Sequence, residues 1–228
     1  PDGSDLIWAS YLGGDQGENP HSMIVNTLGE LCILGTTNSA DFPISNGAYD
    51  NTLGGVTDIV LTHVSADGST LIGSTFLGGA DSDGLNQMFA NYGEQYRGEI
   101  FLDGANNIII ASCSSSSDFP VTSGAFQSVL GGGQDGVLAA MSPNCGSLLW
   151  SSFLGGSGED NALGIRLALD GAIIATGSTE STDFPTTAGS YHPAPFGGRD
   201  GYVVRMSPGA TGMVAGTHFG TANDDGSY

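Results

Sequence analysis

The chain has 228 residues, 39% of them apolar, and a mean hydropathy near zero, which excludes a disordered polymer and supports a sizeable core. Its 24 acidic residues face only four cations, Arg97, Arg166, Arg199 and Arg205, with no lysine, giving a formal net charge of −20. Nothing here neutralises phosphates, so nucleic acid and anionic membrane surfaces are poor partners, and no stretch approaches the ~20 apolar residues of a helical membrane span.

Residues 4–12 read as a strand running into the tetrad Tyr11-Leu12-Gly13-Gly14. Segments 22–28 and 31–34 flank Gly29-Glu30 as a hairpin with a glycine turn. Asp41-Phe42-Pro43, Gly47-Ala48-Tyr49 and the pair Gly54-Gly55 lead to Asp58, after which strands are expected over 58–64 and 70–76 around Asp67-Gly68. The tetrad returns as Phe76-Leu77-Gly78-Gly79. The order then repeats: Asp118-Phe119-Pro120, Gly124-Ala125-Phe126, Asp135, strands over 136–141 and 147–153, and a tetrad from Phe153 to Gly156. A third pass brings strands over 167–169 and 172–176 around Asp170-Gly171, then Asp183-Phe184-Pro185, Gly189-Ser190-Tyr191 and Asp200. It closes with strands over 201–206 and 213–219 and a decayed tetrad, His218-Phe219-Gly220-Thr221.

The tetrads step by 65, 77 and 65 residues, and the other markers by 77 and 65, so four signals share one register. The 38 glycines follow no G-X-Y period and read as turn and close-packing positions. Four short antiparallel strands in a tandem unit of about 65 residues predict an all-β fold of β-propeller blades. The boundaries are a partial unit at 1–14, repeats at 15–79, 80–156 and 157–221, and the start of a further unit at 222–228. A parallel β-helix fits less well, because its coils are much shorter and lack hairpin turns. Leu12, Leu77 and Leu154 are expected in equivalent settings, and Phe42, Phe119 and Phe184 buried between blades. Three blades plus one extra strand make 13 strands and cannot close a ring. The expectation is therefore that further blades or another chain complete the propeller, with the strand over 6–12 pairing outside these three units.

The ordered set of aromatic-Leu-Gly-Gly, acidic loop, Gly-turn hairpin, Asp-Phe-Pro, Gly-Ala-aromatic and Gly-Gly-x-Asp resembles the bacterial SBBP-type β-propeller repeat family over nearly the whole chain. The resemblance implies a large exported or surface-attached protein with propeller repeats beside adhesive modules. It brings no general catalytic residue set.

Two groups of residues are candidates for chemistry. The loops after each Gly-Gly carry Asp15 and Glu18, Asp81 and Asp83, Glu159 and Asp160, and Asp224 and Asp225. Recurring carboxylates suit a hard cation such as calcium, while the plainer reading is turn formation and solubility. Unit two is longer than its siblings, chiefly between Asp83 and Ile100, and the addition includes Met88, Phe89, Tyr92, Tyr96 and Arg97. Aromatics with one of the few cations suit a contact surface for a protein or glycan, against the alternative that they fold down to cap a blade edge. His218 replaces the tetrad aromatic and is expected to be packed, whereas His21 and His192 read as loop residues. Cys32, Cys113 and Cys145 allow one bridge at most or buried thiols. No nucleophile elbow, phosphate loop or zinc-helix motif occurs. The expectation is a non-catalytic, secreted or cell-surface structural or adhesive module that binds protein or assembles with itself. The alternative is a glycan-binding or glycan-cleaving propeller using the Tyr92–Arg97 loop.

Overall fold

The computed structural model describes residues 4–88 and 95–225. Within them lie three separate four-stranded antiparallel sheets, each in sequential strand order, and a single 3-10 turn at Pro208–Ala210. The first sheet holds β1 (Glu18–Val25), β2 (Leu31–Thr37), β3 (Asp58–Val64) and β4 (Leu71–Leu77). The second holds β5 (Glu99–Leu102), β6 (Ile108–Ser114), β7 (Asp135–Met141) and β8 (Leu148–Leu154). The third holds β9 (Gly164–Leu167), β10 (Ile173–Thr179), β11 (Asp200–Met206) and β12 (Met213–Phe219).

The turns explain why the strands fall where they do. The first hairpin of each sheet needs a left-handed residue at one repeat position, filled by Gly29, Asn106 and Gly171 with φ of 81°, 62° and 80°. Asn26 and Asp103 fasten two of these turns by accepting backbone N–H groups from Leu28 and Glu30, and from Ala105 and Asn107. The second hairpin has the same requirement at Gly68, Cys145 and Ala210.

Packing follows from the two-residue period of a strand. In the middle sheet Ile108, Ile110, Val137, Ala139 and Met141 join a core with Cys32, Leu34, Leu61 and Leu77 of the first sheet. The alternate residues Ile109, Ala111, Leu138, Ala140 and Leu154 join a second core with Ile165, Ile173, Ala175, Tyr202 and Val204 of the third. The middle sheet is thus covered on both faces, so β6 and β7 are buried along their whole length. The first strands of the sheets lie against one another, β1 on β5 and β5 on β9, so the sheets fan outward from their first strands.

Residues 4–13 form no strand, so the described residues contain 12 strands and not 13. A strand needs a hydrogen-bonded neighbour. This segment instead lays the Trp8 indole over the β3–β4 hairpin, its Nε1 donating to the Ala66 carbonyl at 3.0 Å. Leu77 and Leu154 are fully buried, each facing the next sheet, whereas Leu12 is 36% exposed, so the three tetrad leucines are not in equivalent settings. Phe42, Phe119 and Phe184 are all buried, Phe119 and Phe184 within the two inter-sheet cores and Phe42 in a small cluster with Val60 and Phe76. β1 and β9 start earlier than the apolar pattern predicts; the turn closed by Ala168 N–H to the Ala172 carbonyl leaves Leu169 outside the ladder.

Candidate functional site

Four of the loop acids, Glu18, Asp83, Asp160 and Asp225, occupy one repeat position, and each accepts the backbone N–H four residues earlier. The distances are 3.0 Å from Gly14 to Glu18, 2.7 Å from Gly79 to Asp83 and 2.7 Å from Gly156 to Asp160, with Thr221 donating to Asp225. The hydroxyls of Ser39, Ser116 and Ser181 donate to the first three. The aspartate of Asp-Phe-Pro reaches the same loop: Asp41, Asp118 and Asp183 accept from the N–H of Asp15, Ala80 and Ser157 at 2.9, 2.8 and 2.8 Å. Two carboxylates therefore stitch each of the first three tetrad loops to the sheet that follows.

The other candidates, Asp15, Asp81, Glu159 and Asp224, do not share one repeat position, and Asp15, Asp81 and Asp224 are exposed. Among the described residues no group of three or more His, Cys, Asp or Glu side chains converges as a metal centre. The recurring acids are instead paired across the first glycine of a tetrad. A methyl group on Gly78 would lie 2.6 Å from Asp58 Oδ1 and 2.8 Å from Asp83 Oδ2, and on Gly155 2.5 Å from Asp135 Oδ1 and 2.8 Å from Asp160 Oδ2. Burial pushes Asp58 and Asp160 up to about 6 and raises Asp83 and Asp135 as well, against the backbone N–H groups that favour the charged form.

The long loop of unit two divides. Phe89 and Tyr92 lie outside the described residues. Met88 is 3% exposed, its sulfur 3.0 Å from Asn161 Nδ2 in the segment leading into β9, so it is packed inward and not presented to solvent. Tyr96 is partly exposed and stands edge-on to His21 at 6.3 Å. Arg97 lines a cavity of about 480 Å³ where the first strands of the three sheets meet.

That cavity is bounded by β1 through His21, by Arg97 and Glu99, by β9 through Arg166, and by Ile174 and Thr176 of β10. Glu99 pairs with Arg166 Nη1 and also accepts the Ile165 N–H at 2.8 Å, which fixes the carboxylate at the rim. Arg166 stacks over Phe101 at 5.8 Å. His21 belongs to β1 and not to a loop; its Nε2 meets Thr36 Oγ1 at 3.3 Å, while Nδ1 is buried without a hydrogen-bond partner. Burial holds His21 down at about 4, so the ring is neutral at pH 7. Sequence reasoning reached Arg97 but missed His21, Glu99, Arg166 and Thr176. The available signal was that two of only four arginines lie near the start of successive first hairpins, although not at one repeat position.

The remaining histidines are packed. His218 is fully buried against Phe184, and His63 sets Nδ1 2.7 Å from the Pro143 carbonyl, whereas His192 stacks on Phe196 at 3.6 Å. All three cysteines are buried free thiols; Cys32 and Cys145 share the first core and Cys113 lies in β6, and burial pushes their ionisation up, to about 12 for Cys32 and Cys145. Comparison with protein-family models and with curated proteins finds no match for the chain.

Proposed function

We propose that the chain is an arc of a β-propeller of the SBBP repeat type, serving as a non-catalytic secreted or cell-surface scaffold that binds further copies of its own repeat through the faces of its outer sheets. The observation that supports this reading is the equivalence of an open face and a closed one. On the second sheet Ile100, Ile110, Val137, Phe153 and Phe119 pack into the core shared with the first sheet. The residues one repeat earlier are Met23, Ile33, Val60, Phe76 and Phe42, on the outer face of the first sheet, which no sheet among the described residues covers; Val60, Phe76 and Phe42 are buried within their own unit, Ile33 is half-buried and Met23 is 71% exposed. A groove of about 270 Å³ lined by Leu12, Pro20, Ile33, Phe42 and Val60 runs across it. At the other end Phe219 stands where Leu77 and Leu154 are buried against a following sheet, and it is 40% exposed.

Such a face favours covering by a surface of the same kind, because apolar area leaves water on association. A secreted or surface setting agrees with the charge of −20, which keeps the chain soluble and away from polyanions. The test is capture of soluble chain on immobilised chain. Saturable capture that disappears with Met23→Asp, a substitution at an exposed β1 position, is the expected result. Absence of capture, or capture unchanged by Met23→Asp, overturns the reading.

A further inference from the structure

We propose that the cavity where the first strands meet is a binding site for a carboxylated sugar, a uronic acid unit, with Arg97 and Arg166 taking the carboxylate and Glu99, His21 and Thr176 taking ring hydroxyls. This goes beyond the scaffold reading and does not rest on it.

The cavity, about 480 Å³, falls in the size range of small-molecule sites. Its charge is exceptional for this molecule: of the four arginines in a chain of net charge −20, two line this one concavity. Guanidinium groups bind a planar carboxylate through paired N–H donors. Arg166 commits Nη1 to Glu99 and to its neighbour's carbonyl, the Ile165 oxygen at 2.6 Å, which orients the rest of the guanidinium. Glu99, held at both oxygens, is a fixed acceptor at the rim for hydroxyl donors. His21 lines the wall, and its Nδ1 is buried without a protein partner beside Gly98, where an added methyl group would come within 3.3 Å of it. Leaving such an atom unpaired is costly, and a ligand hydroxyl would satisfy it. Ile174 supplies an apolar wall for the C–H face of a ring, and Thr176 a further hydroxyl. A bare carboxylate would use only the arginines; the mixture of acceptor, neutral imidazole, hydroxyl and apolar wall fits a polyol that carries a carboxylate.

The experiment is calorimetric titration of the 228-residue chain with glucuronate, glucose and acetate at one ionic strength. The expected result is saturable binding of glucuronate, at least about tenfold tighter than glucose or acetate, as the extra charge-assisted pair requires. Arg97→Gln should weaken glucuronate by about tenfold without changing glucose binding, and Thr176→Val should weaken both severalfold. Thermal melts of both variants establish that they fold. Should one fail to fold, glucuronate-induced shifts of the His21 ring resonances in the unsubstituted chain report the same site. No binding of glucuronate, equal binding of glucose or acetate, or binding indifferent to both substitutions with the His21 ring unmoved would overturn the proposal.

Discussion

Asp160 accepts hydrogen bonds from the Gly156 N–H and the Ser181 hydroxyl, yet burial still lifts its carboxyl to about 6. Because the folded value lies above the ordinary one of 3.8, the folded chain binds the proton more tightly than the unfolded chain does. The penalty is absent at low pH and complete above about 6, so this group makes stability fall as pH rises. His21 acts oppositely: held down at about 4 from 6.5, its folded form loses stability as pH falls through that window. Asp160→Asn keeps the acceptor oxygen and removes the ionisation. The expected outcome is a variant more stable than the parent at about pH 7.5, by up to about 3 kcal/mol, with the advantage shrinking towards about pH 5. Chemical denaturation at the two pH values checks this, and an unchanged pH profile would count against it. At the equivalent junction one unit earlier the second tetrad glycine has no room for a side chain, since a methyl group on Gly79 would lie 2.6 Å from Ser116 Cβ. Gly79→Ala should cost roughly 1–3 kcal/mol through overpacking, whereas Gly104→Ala, with nothing within 4 Å, should be close to neutral. Melting temperatures of the two variants decide the matter.

A strand in these sheets is stabilised mainly by what covers its two faces. Phe119 is buried beside Phe153 with ring centroids 5.8 Å apart, inside the core between the first and second sheets. Phe119→Ala should cost about 3–5 kcal/mol. Phe42 has the same repeat position but sits in a cluster of three buried residues, so Phe42→Ala should cost less; urea unfolding of the pair measures the difference. The same contrast explains what could be read in the sequence. The second hairpin of every unit was legible nearly to the residue, because β3, β7 and β11 begin at the aspartate after the Gly pair and end in short Gly- or Asp-containing turns. The first strands were less legible: β1 carries Pro20, His21 and Ser22 and faces the cavity with polar side chains, which hides its alternation. Residues 4–13 carry an apolar pattern that implies a strand, but a pattern supplies no neighbour to pair with. The loop acids were visible as recurring residues, while their role was not, since nothing in the spacing says that a carboxylate reaches a backbone N–H four residues back. The inner cavity is assembled from three sheets, and no single repeat contains it.

For the molecule as a whole, the two inter-sheet cores use one set of repeat positions twice, and both outer sheets present that set again without a partner among the described residues. The face of the first sheet is the more apolar of the two. On the third sheet Arg205 replaces Ala140 of the second, so that end favours a covering surface with an acceptor to meet its guanidinium group, while Arg166 and Thr176 line the cavity. Arg205 already reaches Asp170 at 2.5 Å, but this pair is partly exposed and adds little to stability by itself. If both faces take further copies of the repeat, the sheets continue around the meeting point of β1, β5 and β9, and the cavity becomes the axis of a ring of four or more blades. Sedimentation equilibrium of the 228-residue chain over a wide concentration range tests this most directly. The expected mass climbs above 23.1 kDa with concentration and returns towards it with Met23→Asp, whereas a cooperatively melting species fixed at 23.1 kDa at every concentration would rule out association through these faces.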